Sequence, residues 1–166
     1  LRIPFVAVAT DLNRGMRVAL DRGSLARAVR ASCSIPGVFQ PVSHQGKLLV
    51  DGGVVDNIPI DVARERNADI VIAVDISENV NNFNITNLVD VTLQAVNIMF
   101  KENTAHKKLG ADVLITPDVG GVAMMDFTQK KRSMQAGIEA AQRAMPAIRQ
   151  VIDDWTAKQS RQTAKK

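Results

Sequence analysis

"KLLVDGGVVDNIPI", residues 47–60, is an apolar run that breaks at an aspartate followed by two glycines. Lys47 to Val50 read as a buried strand, Asp51 stands where that strand ends, and Gly52-Gly53 turn the chain away. The position admits two readings. D-G is among the commonest turn dipeptides, yet the carboxyl end of a strand in an open α/β sheet is also where ligands gather. The residues themselves leave both open.

Working outward, residues 4–10 (PFVAVAT), 69–76 (DIVIAVDI) and 112–116 (DVLIT) are further short, β-branched, apolar runs closed by polar residues. Runs apolar on both faces predict buried, mainly parallel strands. Ser24 is placed to cap a short helix over 25–31. Asn57 and Pro59 are placed to start another over 60–66, with Asn67 as its left-handed stop. Residues 88–110 repeat Val89, Leu93, Val96 and Phe100 at helical spacing, and Gly110 ends the pattern. A last stripe, Met134, Ile138, Ala141, Met145, Ile148, Ile152 and Trp155, keeps its phase across Pro146 and predicts either one kinked helix or two aligned ones. It is expected to pack on the core, with a coiled-coil partner as the alternative. Strands alternating with helices predict an α/β fold with a mainly parallel central sheet flanked by helices.

Composition narrows the function. A hydrophobic share of 46% and a mean hydropathy of -0.02 fit a globular chain, and no run approaches the roughly 18 apolar residues of a membrane span. The net charge of +4 comes from the tail, residues 158–166 (KQSRQTAKK), which carries four basic residues and no acidic one. That tail is expected to be disordered, leaving one domain over 1–157. Without Tyr, with a single Trp and with no basic–aromatic interleaving, the chain does not predict a nucleic-acid surface. Cys33, the one cysteine, excludes an internal disulfide and suits a reducing compartment. With two histidines beside it, neither a metal site nor any other cofactor is expected. The chain opens at Leu1 rather than Met, and the expectation is an interior piece of something longer.

Other chemistry-bearing residues have ordinary readings. Asp11, Asp75 and Ser77 also follow strands, and each alone reads as a turn or cap residue. His44 reads as part of a hairpin loop, His106 as a helix-surface residue, and Cys33 lacks a nearby His to activate it. Ser24 in "RGSLA" (22–26) is a helix cap. No G-x-S-x-G elbow, P-loop or G-x-G-x-x-G occurs.

The order of "RASCSIPGVFQPV" (30–42), "LLVDGGVVDNIPI" (48–60) and "ADIVIAVDIS" (68–77) resembles the second half of a patatin-like phospholipase domain, in the bacterial branch allied to the neuropathy target esterase (NTE) family. "PFVAVATDLNRG" (4–15) and "LITPDVGG" (114–121) extend the likeness over nearly the whole chain apart from the tail. The resemblance implies a three-layer α/β/α fold, incomplete here, and a serine–aspartate dyad cleaving acyl esters of lipids without cofactor or metal. Asp51 is then the dyad base, Gly52 and Gly53 give the chain its tight turn, and Ser34 and Pro36 are supporting residues. The family's glycine-rich oxyanion loop and its G-x-S-x-G serine lie N-terminal to the matched region, so the nucleophile is not expected in this chain. The implied partners are a phospholipid, lysophospholipid or simple ester, a membrane surface, the N-terminal remainder of the domain and a second copy of the chain. The implied location is cytoplasmic or peripheral at the inner membrane. A non-catalytic binding or regulatory module that retains the fold, and an acyltransferase, are the alternatives.

Overall fold

The computed structural model describes residues 2–77, 85–120, 122 and 127–163, apart from the side chains of residues 103, 105, 106 and 127. The chain forms two compact units, one of Leu1–Pro59 with Asn79–Lys107 and one of Ile60–Glu78 with Lys108–Lys166.

The first unit is built on a four-stranded sheet: β1 (Ala7–Asp11), β2 (Met16–Leu20), β3 (Val42–His44) and β4 (Lys47–Asp51), in the order β2-β1-β4-β3. All its pairings are antiparallel. The mainly parallel sheet expected from the apolar runs is therefore corrected for this unit. The physical reason lies in the connections, since β1–β2 and β3–β4 are hairpins, too short for the crossover that a parallel pair needs. In the second hairpin Gln45 (φ 48) and Gly46 (φ 73) both take positive φ, as a type I′ turn requires. Strand β1 is buried at every position because α1 (Leu25–Ser32) and α2 (Gly53–Asp56) both pack on it. Burial on both faces thus arises without a parallel partner. Ala7 and Ala9 of β1 meet Ala28 and Ala31 of α1, with Leu20, Val42 and Leu49 completing the cluster. Ser24 caps α1, its hydroxyl accepting the Arg27 N–H.

The helix α4 (Leu88–Lys107) belongs to this unit and packs against α2. A 3₁₀ turn over Lys108–Gly110 comes next in the chain, close to the stop expected at Gly110.

The second unit pairs β5 (Ile72–Val74) with β6 (Val113–Ile115) in parallel. It also holds α3 (Ile60–Glu65), which ends near Asn67 in the left-handed region (φ 60), and α5 (Lys130–Thr163). Arg64 ties α3 to the segment leading into β5. Its guanidinium donates to the carbonyls of Ala68 and Asp69 and, at 2.6 Å, to Asp112 Oδ2, which also accepts the Val71 N–H. The architecture is therefore mixed α/β, with an antiparallel sheet and a separate parallel pair.

Helix α5 runs through Pro146 as a single element, the first of the two arrangements expected there, and differs from expectation in two other respects. The face that meets β6 is Ala140, Ala144, Ile148 and Val151, packed on Val113 and Ile115. Of the expected stripe only Ile148 belongs to this set, whereas Met134, Ile138, Met145, Ile152 and Trp155 are exposed. The alanine-bearing face lets the helix axis approach the strands more closely than the larger side chains would. The helix also runs through Thr163, so residues 158–163 are helical where a disordered tail is expected, and 164–166 lie outside the described residues. The segment has no Gly or Pro to stop the helix, and Ser160 and Thr163 satisfy their hydroxyls on the carbonyls of Thr156 and Gln159.

Candidate active site

Strand β4 delivers Asp51 to the end of the antiparallel sheet, opposite Ala9. Its backbone is held on both sides: the Thr10 hydroxyl donates to the Asp51 carbonyl at 2.9 Å, and the Asp51 N–H donates to the Ser34 carbonyl at 2.9 Å. Its carboxylate accepts one hydrogen bond, from the Gly53 N–H to Oδ1 at 2.8 Å. Among the described residues Oδ2 accepts none. Burial pushes the Asp51 carboxyl above its ordinary 3.8, against the opposing pull of the Gly53 N–H. A carboxylate with a raised pKa and one open oxygen is suited to taking a proton.

The two glycines are dictated by close approach. A Cβ on Gly52 would lie 2.3 Å from the Val8 carbonyl oxygen, and one on Gly53 would lie 2.8 Å from the Phe100 ring. The turn therefore passes hard against β1 on one side and α4 on the other, and α2 starts immediately. The Gly52 carbonyl accepts the N–H groups of Val55 and Asp56 at 3.1 and 2.8 Å.

The "SIPG" segment reaches the same place from α1. Ser34 is buried, and its hydroxyl donates to the Arg30 carbonyl at 2.7 Å, so it is committed to the end of α1. Pro36 and Gly37 form the centre of a turn closed by the Val38 N–H on the Ile35 carbonyl at 3.1 Å. Gly37 at φ +82 and a proline before it are what a type II turn demands. The turn presents Val38 and Phe39 to an open, largely apolar groove of about 470 Å³, shared with Arg30, Cys33, Ser34 and Gln40.

The other aspartates that follow strands have different chemistry. Asp11, at the end of β1, is buried and accepts the Asn13 N–H at 3.1 Å and Arg14 at 3.4 Å, which makes it the anchor of the β1–β2 hairpin. Asp75, in the second unit, lies beside Ser77, whose hydroxyl donates to Asp75 Oδ1 at 2.5 Å. This is a serine–aspartate contact, but the carboxylate is held as a weaker base than an ordinary aspartate. Burial would raise its pKa, yet an ion pair with Lys108 and the bonds from Ser77 overcome that and hold it below 3.8. His44 closes β3 next to the hairpin turn, and Cys33 is exposed at the C-cap of α1. The side chain of His106 lies outside the described residues. Among the described residues no three His, Cys, Asp or Glu side chains converge as a metal site requires, and no helix is long and apolar enough to cross a membrane.

Sequence reasoning passed over Asp56. It is buried, with Oδ1 2.7 Å from Lys107 Nζ and Oδ2 3.0 Å from Arg17 Nη1. The signal that could have found it was a charge set inside the apolar run "GVVDNIPI", because a carboxylate is buried only with partners.

Comparison with known proteins bears on the same segments. The family described as Patatin-like phospholipase matches residues 4–64, which hold β1 to β4, the SIPG turn and Asp51. An NTE family protein of Mycobacterium tuberculosis is 48% identical over 77 residues, covering 46% of this chain and 21% of that protein. The mouse patatin-like phospholipase domain-containing protein 7 is 47% identical over 79 residues, covering 46% of this chain and 6% of that protein. A second mycobacterial NTE family protein, from Mycobacterium bovis, is 27% identical over 168 residues, covering 86% of this chain and 29% of its own length. The matched region thus spans about a fifth of the first relative's length. Over these segments the chain is similar to patatin-like phospholipases and to NTE family proteins.

Proposed function

We propose that this chain is the base-bearing part of a serine acyl hydrolase acting on phospholipids, lysophospholipids or simple carboxylic esters. Asp51 takes the proton of a serine hydroxyl, and the serine oxygen attacks the ester carbonyl. The alcohol leaves with a proton, and water then releases the acyl group as a carboxylic acid. The serine and the backbone donors that hold the oxyanion would come from the N-terminal remainder of the domain, and the lipid from a membrane surface.

The observation that carries this reading is the state of Asp51. It is half-buried, its pKa is raised, one oxygen is held by Gly53 and the other is open, at the end of a strand inside the segment matched by the family. The Val38–Phe39 groove beside Ser34 is an apolar surface of the kind an acyl chain would use.

The test is Asp51→Asn in the intact parent protein, assayed on a short-chain ester. A loss of turnover of about a hundredfold or more is expected, the scale of a general-base contribution. Turnover near that of the unaltered protein would sink the role.

A further inference from the structure

We infer that Asp56, through its ion triad with Arg17 and Lys107, is the positioning residue for the Asp51 turn. It fixes the Gly53 N–H on Asp51 Oδ1 and so decides which carboxylate oxygen is left open. This rests on the reading of Asp51 as the base.

The geometry runs through one short element. Asp51 ends β4, Gly53 begins α2, and Asp56 ends α2 one turn later. A single turn of helix has almost no stability of its own, so what orients the Gly53 N–H must come from outside it. Asp56 supplies two of the ties. Oδ2 bonds Arg17 of β2 at 3.0 Å and Oδ1 bonds Lys107, the last residue of α4, at 2.7 Å. Asn57 adds a third, its side-chain amide donating to Thr104 Oγ1 at 3.1 Å, while Thr104 is itself bonded to the Phe100 carbonyl. The Gly53 backbone lies against the Phe100 ring. The turn is thus clamped between β2 and α4.

The burial is asymmetric in a telling way. The Asp56 side chain is 1% exposed, whereas Arg17 and Lys107 are 28% and 30% exposed. A carboxylate that deep is tolerated only while both oxygens are satisfied by charge-assisted bonds. The cations can reach water if released, but Asp56 cannot. The triad therefore holds the turn in one position and penalises any motion that would lift Asp56 from its partners.

The test is amide hydrogen exchange by NMR on the intact parent protein, comparing it with its Asp56→Asn, Lys107→Gln and Arg17→Gln variants. Exchange at Gly53 is expected to speed up roughly ten- to hundredfold in Asp56→Asn, the scale of one charge-assisted hydrogen bond. The Leu12 amide, bonded to the Leu48 carbonyl at 2.8 Å, is expected to stay unchanged. Each single-cation variant keeps one tie, so it should fold even if Asp56→Asn does not, and it should show a smaller acceleration confined to the same turn. In the parent protein Asp56→Asn should lower kcat with KM held. Unchanged exchange at Gly53 in all three variants would overturn the inference. So would a uniform acceleration that includes Leu12, because that marks a general stability residue. If Asp51→Asn proved fully active, the catalytic reading would fail, while the exchange pattern would still decide whether Asp56 sets the turn.

Discussion

The backbone N–H of Asp51 donates directly to the carbonyl oxygen of Ser34 at 2.9 Å. That bond joins the two segments, SIPG and DGG, that lie 17 residues apart in the chain. Ser34 itself is spent on closing α1, so the contact works through the backbone. It sets where the end of β4 sits relative to the Pro36–Gly37 turn, and hence where the apolar groove lies relative to Asp51.

Gly52→Ala is expected to destabilise the chain by about 3 kcal/mol or more, because the new methyl would meet the Val8 carbonyl at 2.3 Å and that backbone is locked in the sheet. Gly53→Ala should cost less, about 1–3 kcal/mol, since the atom it meets is the Phe100 ring. Adding Phe100→Leu should recover much of the second loss and none of the first. Urea unfolding of the four variants measures both.

The pH dependence of stability should carry two opposed contributions. Asp51 is raised by burial, so between 3.8 and its raised folded value the folded chain binds more protons than the unfolded one. Stability then falls as pH climbs through that window, and Asp51→Asn removes the fall. Asp75 is held below 3.8 by Lys108 and Ser77, with burial opposing, so its contribution is present above 3.8. That contribution is lost as pH drops through the lowered value, and Asp75→Asn should flatten this acid limb. Denaturant unfolding across the acid range separates the two, and a shared sign would contradict the assignment.

Arg64→Lys should loosen the second unit. The guanidinium bonds the carbonyls of Ala68, Asp69 and Gly110 and the Asp112 carboxylate at once, and a single ammonium cannot reproduce that fork. The cost should be about 1–2 kcal/mol, at the low end for charged hydrogen bonds because the side chain is 37% exposed. Faster exchange of the Val71 and Asp112 amides, with the first unit unaffected, would report it.

Ser24→Ala should cost about 0.5–1 kcal/mol, the low end for a lost N-cap, since the hydroxyl lies 3.4 Å from the Arg27 nitrogen. Thermal unfolding checks it, and Ser24→Asp should restore most of the loss.

Local chemistry was legible in the residues themselves. Ser24 caps α1, Asn67 takes the left-handed conformation after α3, and the cores of β1, β4, β5 and β6 fall inside the apolar runs. Each of these depends on neighbours a few positions away. Strands β2 and β3 were not legible, because Arg17 interrupts one and the other is only three residues long. Each is stabilised by the strand it pairs with rather than by its own pattern.

What the tertiary structure alone decided was non-local. An apolar run reports that both faces of a strand are covered, but not by what, and β1 is covered by α1 and α2 within an antiparallel sheet. A helix offers several apolar stripes, and close approach selected the face of α5 that carries Ala140 and Ala144. Asp51 could be singled out from its strand end and its glycines. Its raised pKa comes from burial, and the ion triad at Asp56 exists only because Arg17 and Lys107, 39 and 51 residues away, converge on one buried carboxylate. Charge partners at that separation leave no periodic trace in the chain, and desolvation, which drives the shift, appears only once the chain is packed.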